Sequence, residues 1–169
     1  ILGHGKSIKA RKGDSIEKMS YWLDQIFKKH NIFAAHLVGV SLGAVFIQDF
    51  ANKYENKVLS LVCFGGYDIN NFDVKKQSAN SQEEFYNLNI QFKKKSFMYL
   101  SKLQNLINKF ENKQRNYKLL VGCGEHDIPI EIDIVDKWAE SEQCAKIILQ
   151  GAGHCANMDV PQAFNRCLE

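Results

Sequence analysis

No stretch of this chain is apolar for long enough to cross a membrane, and no secretory leader is read at its start. The five cysteines (Cys63, Cys123, Cys144, Cys155 and Cys167) contain no CxxC pair and no partnered histidine spacing. An odd set without a framework excludes a disulfide scaffold and predicts reduced thiols in the cytoplasm, and nothing in the spacing favours a metal. Charge of one sign is also lacking: 22 Lys and Arg stand against 19 Asp and Glu, a net +3. That balance gives no ground for a nucleic-acid partner. Internal repeats and low-complexity tracts are absent as well. What remains is 169 residues, 45% of them hydrophobic, enough for one domain with a real core and too few for two.

Hydrophobic spacing then divides the chain. Asp14 and Glu17 are spaced like a capping box, and Ile16, Met19, Leu23, Ile26 and Phe27 repeat with helical period, which predicts a helix over 15–30. Strands are predicted over 35–40, 58–64, 118–121 and 146–149, with helices over 42–54, 130–140 and 161–168. Phe85, Leu88, Phe92, Tyr99, Leu103 and Leu106 keep helical spacing inside the stretch 67–116, which interrupts the alternation. Strands alternating with helices imply a mostly parallel sheet covered on both faces, an α/β fold.

The chemistry is concentrated where strands end. Gly39-Val40-Ser41-Leu42-Gly43 follows one apolar run and opens an amphipathic one. It reads as a strand, a tight turn with serine at the apex, and a helix. The flanking glycines would remove Cβ atoms where strand and helix nearly touch. The turn would lift Ser41 Oγ above the sheet edge, beside N–H groups at a helix N-terminus that stabilise developing negative charge. A serine hydroxyl needs a base, usually histidine, and the histidine a carboxylate to fix its tautomer. Gly124-Glu125-His126-Asp127 follows a strand and places Asp127 at the carboxyl edge. Gly151-Ala152-Gly153-His154 follows the last strand and places His154 at the same edge, where doubly wound sheets bind ligands. Asp127 has a plainer alternative as the cap of the following helix, and Asp68, just after the second strand, is the alternative acid. Glu125 and His126 read as solvated neighbours, and Cys155 as a packed residue.

Three motifs in the order serine, acid, histidine resemble the α/β-hydrolase superfamily, over nearly the whole chain. The resemblance implies Ser41 as nucleophile, Asp127 as acid, His154 as base and the backbone N–H of Leu42 as an oxyanion donor. Gly3-His4-Gly5 looks like the loop after that family's fourth strand, with His4 bordering the substrate pocket rather than serving the oxyanion. The resemblance further implies a single domain spanning 1–169, incomplete at its N-terminus, with a helical lid over 67–116. The first strands and the second oxyanion donor would then be missing, leaving the elbow strand as a sheet edge. Loss of one donor costs on the order of 3 kcal/mol, a hundredfold in rate or more. A truncated, weakly active or inactive hydrolase, or one completed by a second chain, is the expectation.

The implied reaction is cleavage of a carboxylic ester, thioester or lactone through an acyl-enzyme, with a small acyl compound as substrate and no cofactor or metal. Acyl transfer, C–C bond hydrolysis by the same triad, and a non-catalytic ligand sensor are the alternatives. Phe85, Phe92 and Phe97 are candidates to line an acyl pocket, or else the stripe that docks the lid. From Glu83 to Lys118 eight basic residues, Lys93, Lys94, Lys95, Lys102, Lys109, Lys113, Arg115 and Lys118, stand against three acidic ones and make this segment basic. That charge fits an acyl-carrier contact or, in a chain rich in lysine throughout, a merely solvated face. A homo-oligomer contact is the other partner considered.

Overall fold

The computed structural model describes residues 6–7, 16–70, 115–127, 130 and 132–169. His4, Asp14 and residues 71–114, with Phe85, Phe92 and Phe97, lie outside them.

Helix α1 (Ile16–Lys29) buries Met19 and Phe27 and leaves Tyr21, Trp22 and Ile26 exposed. It stops at Asn31, which takes the left-handed conformation (φ 54°). There the Ile32 N–H reaches back to Phe27 O at 2.9 Å and the Asn31 N–H to Lys28 O at 3.2 Å, satisfying carbonyls the helix leaves open. Strand β1 (Ala35–Val40) follows, then helix α2 (Leu42–Lys53), a single 3-10 turn (Glu55–Lys57) and strand β2 (Val58–Phe64). After residue 114 come β3 (Lys118–Gly124), α3 (Ile132–Glu142), β4 (Ala145–Leu149) and two short helices, α4 (Ala156–Asp159) and α5 (Pro161–Arg166).

The four strands pair in parallel in the order β1-β2-β3-β4, so the sheet grows outward in chain order. Alternation along each strand sends Leu37, Leu61, Cys63, Val121 and Cys123 to one face. There they meet Phe27 of α1, Val45 and Phe50 of α2, and Val135 and Trp138 of α3. Val40, Val62, Phe64, Ile147 and Leu149 face the other way and pack against Phe164 of α5, whose ring centroid is 5.0 Å from that of Phe64. Among the described residues β1 has a neighbour on one side only, as expected of the elbow strand, and Val38 on it is 44% exposed.

Polar groups tie the layers together. Gln48 of α2, fully buried, donates to Tyr67 O at 3.0 Å and accepts from the Ile69 N–H at 3.2 Å, fixing the chain that leaves β2. Ser20 of α1 donates to Asp49 of α2, and Asp24 of α1 accepts from Lys28 on the same helix and from Lys57 of the 3-10 turn.

Several boundaries differ from the sequence reading by one to three residues, two of them with a visible cause. β3 runs through Gly122-Cys123-Gly124, because these residues stay paired with Ile147–Leu149 of β4. The helix expected over 130–140 is displaced to Ile132–Glu142, since the Ile130 N–H is held by the Asp127 carboxylate outside the helix. The α4 turn has no hydrophobic period of its own and was not foreseen.

Candidate active site

Ser41 stands between the end of β1 and the start of α2 with φ 55° and ψ −123°, a conformation unfavourable for any residue with a Cβ. Its surroundings over-determine it. The Ser41 N–H donates to Phe64 O at the end of β2, 2.8 Å away, and Ser41 O accepts the Ala44 N–H at 2.9 Å. The strand passes so close to the helix that a Cβ on Gly39 would lie 2.4 Å from Gly43 O. A Cβ on Gly43 would meet nothing within 4 Å. Only the first flanking glycine is therefore demanded by the close approach, where the sequence reading assigned both to it. Leu42 is the first residue of α2, and the N–H groups of a helix's first turn have no partner within the helix.

His154 comes from the loop after β4. Its Nε2 lies 2.8 Å from Ser41 Oγ and its Nδ1 lies 3.0 Å from Asp127 Oδ1. A carboxylate can only accept, so Nδ1 carries the proton toward Asp127 and Nε2 is left to accept the serine hydroxyl. The Asp127 side chain is fully buried and that of His154 is 18% exposed. Asp127 Oδ1 also accepts the Ile130 N–H at 3.2 Å, so this carboxylate is at once the histidine's partner and a cap for the following chain. Gly65 (φ 55°) closes the site from the end of β2: a Cβ there would sit 3.2 Å from Asp127 Oδ2 and 3.3 Å from His154 Nδ1.

Asp68 is engaged elsewhere. Its Oδ1 accepts the Asn70 N–H at 2.9 Å and lies 3.3 Å from Arg115 Nη2, whose Nε is 3.0 Å from Glu142. The three charges form a nearly buried cluster at the two ends of the 71–114 segment.

Three residues near the relay gave no signal in the sequence. Gly65 follows the apolar run 58–64 as any strand-ending glycine would. Glu125, read as solvated, accepts the Gly151 N–H at 2.9 Å, and Asp159 accepts the Gly153 N–H at 2.9 Å. Cys155, expected to pack, is exposed beside His154. The thiols of Cys63 and Cys123 are raised by burial, the latter to about 12, which keeps them protonated and unreactive. Among the described residues no three His, Cys, Asp or Glu side chains converge as metal ligands, and no helix is long and apolar enough to cross a membrane.

No protein-family model matches the sequence. No curated protein matches it either. Solved structures do. A thermophilic esterase, 19% identical, superposes with a TM-score of 0.71 over 99% of this chain and 76% of its own. A meta-cleavage product hydrolase from Pseudomonas fluorescens IP01 matches at 16% identity and TM-score 0.72, over 99% of this chain and 75% of its own. Est816, an N-acyl homoserine lactone degrading enzyme, matches at 15% identity and TM-score 0.72, over 99% and 78%. At such identities the likeness is one of fold.

Proposed function

The chain has the α/β-hydrolase fold, matched across its length by esterase structures, and from that premise we propose a serine hydrolase that cleaves a small carboxylic ester, thioester or lactone. The observation that carries the reading is the unbroken relay Ser41 Oγ to His154 Nε2 at 2.8 Å and His154 Nδ1 to Asp127 Oδ1 at 3.0 Å. Both contacts are short enough for proton transfer without rearrangement.

In this reading His154 takes the hydroxyl proton as Ser41 Oγ attacks the acyl carbon. Buried Asp127 stabilises the imidazolium so formed and holds its tautomer. The carbonyl oxygen, negative in the tetrahedral intermediate, is met by the Leu42 N–H at the N-terminus of α2. Protonated His154 then gives its proton to the departing alcohol or thiol, leaving the acyl group on Ser41. Water, deprotonated by the same imidazole, releases the acid. Ser41's strained backbone serves this sequence by turning the chain from strand to helix within one residue, so that the nucleophile stands directly before the N-terminus of α2.

Labelling with a serine-reactive fluorophosphonate tests the assignment. The wild-type chain should label at one site and Ser41→Ala should not; labelling that persists in Ser41→Ala would overturn it. Multiple turnovers of a short p-nitrophenyl ester favour the hydrolase, and stoichiometric binding without turnover the ligand sensor.

A further inference from the structure

We propose that Glu125 and Asp159 are positioning residues, two carboxylates that clamp the glycine loop carrying His154 and so hold the imidazole on the line between Ser41 and Asp127. The inference rests on the reading of His154 as the base.

The problem the clamp solves is visible in the sequence of the loop. Gly151-Ala152-Gly153 offers two glycines in three residues, and glycine loses the most conformational freedom when ordered. A loop of this composition left to itself would let the imidazole wander. Displacements of about 1 Å cost on the order of a hundredfold when a proton must pass between fixed atoms.

Three consecutive amide N–H groups are captured in this structure. Gly151 N–H goes to Glu125 Oε2 at 2.9 Å, Ala152 N–H to Leu149 O at 3.4 Å, and Gly153 N–H to Asp159 Oδ2 at 2.9 Å. The two carboxylates hold the outer pair with charge-assisted bonds, while the longer central bond is an ordinary backbone one. The three peptide planes from Gln150 to Gly153 are thus each held by a hydrogen bond. Two further contacts join this loop to the one bearing Asp127. The His126 N–H donates to Ala152 O at 2.8 Å, and Gln150, with its amide turned to donate, reaches Glu125 at 3.0 Å. His126 Nε2 also lies 3.6 Å from Glu125 Oε2. Glu125 stands two residues before the acid and Gly151 three before the base, so the acid and base loops are stapled to each other as well as to Leu149 O at the end of β4, which accepts the Glu125 N–H at 2.9 Å and the Ala152 N–H at 3.4 Å. Asp159 closes the far side from α4, whose own Asp159 N–H is bonded back to Cys155 O at 3.0 Å.

Acceptor geometry, not charge alone, is what the clamp requires, so amide replacements should preserve it. Glu125→Ala and Asp159→Ala are expected to slow fluorophosphonate labelling of Ser41 several-fold each and about tenfold or more together. Glu125→Gln and Asp159→Asn should restore most of the rate. The downfield proton resonance of His154 Nδ1–H should broaden in the alanine variants and return in the amide variants. A purely structural role would lower the melting temperature yet leave labelling and that resonance unchanged in the folded protein. That outcome overturns the proposal, as do amide variants no faster than alanine.

Amide hydrogen exchange in the wild-type chain needs no variant. Gly151 and Gly153 N–H should be protected, and exchange at the rate of open amides would also overturn the clamp. Because that protection does not depend on catalysis, a wild-type chain that never labels but protects both amides counts against the hydrolase reading alone and leaves the clamp standing.

Discussion

Ser41 Oγ and His154 Nε2 stand 2.8 Å apart although 113 residues separate them in the chain. They leave opposite ends of the four-strand order, Ser41 after β1 and His154 after β4, with Asp127 leaving β3 between them. A parallel sheet brings all of its carboxyl ends to one edge, so this meeting needs only loops of the right reach. Gly65 leaves the remaining strand, β2, and lies against both His154 and Asp127. Every strand therefore delivers one residue to the site.

The two candidate acids should separate cleanly. Asp127→Asn is expected to slow fluorophosphonate labelling by up to about ten-thousandfold, because an amide favours the wrong imidazole tautomer while leaving the geometry in place. Asp68→Asn should leave labelling of the folded protein near wild type. It should instead lower stability by roughly 3 kcal/mol, since it removes one of the two carboxylates that, among the described residues, pair with the nearly buried Arg115. Labelling rates set beside urea unfolding for both variants check the pair. Labelling weakened only in Asp68→Asn would move the acid to the end of β2.

The two elbow glycines should also behave differently. Gly39→Ala puts a Cβ 2.4 Å from Gly43 O, a backbone atom that cannot swing aside. The expected loss is about 3 kcal/mol, at the upper end for overpacking, together with loss of labelling. Gly43→Ala adds a Cβ into open space on the first turn of α2, and should stabilise the chain by about 0.5–1 kcal/mol through helix propensity. Thermal melts of both variants decide this.

That asymmetry marks what the sequence could and could not disclose. The strands over 35–40 and 58–64 were legible because apolar runs ended in glycine or met a turn, and the order Ser41, Asp127, His154 was legible because each follows a strand. β3 was read too short because Gly122 and Gly124 look like breakers, whereas they stay paired with β4. A Cβ on Gly124 would lie 2.3 Å from Ala152 O, so this glycine marks the close approach of the histidine loop. Glu125 and Asp159 were illegible for a different reason. Their partners are backbone N–H groups, which carry no residue-type signature, and only the fold says which carboxylate reaches which amide. Cys155 shows the converse, since a cysteine usually packs and this one is turned outward by the start of α4.

Acid should loosen the contact between α1 and the 3-10 turn after α2 through Asp24. Hydrogen bonds from Lys28 and Lys57 hold its carboxyl below the usual value of 3.8. A carboxylate lowered on folding stabilises the folded chain fully above its unfolded value, and that stabilisation is lost as pH falls through the lower folded value. Asp24→Asn should therefore be less stable than wild type near neutrality. The gap should close below about pH 3.8, where the wild-type carboxyl takes up its proton. Urea unfolding over a pH series reads this, and a gap that widens toward acid would contradict the assignment.

Gly65→Ala should disable the site while leaving most of the fold intact. The new methyl would sit 3.2 Å from Asp127 Oδ2 and 3.3 Å from His154 Nδ1, tight enough that one of them must yield. The Gly65 N–H bond to Gly122 O at 2.8 Å, the register of β2 against β3 and the core around Phe64 all resist movement of the strand end. The side chains are freer to move, and of these His154 is the more exposed, so the imidazole is the part expected to swing off Ser41. The left-handed backbone adds a cost of roughly 1–2 kcal/mol for a residue with a Cβ. The variant should melt lower by an amount of that size, yet label more than tenfold slower where it is fully folded. Labelling at the wild-type rate in the folded variant would mean that the histidine has room the structure does not show.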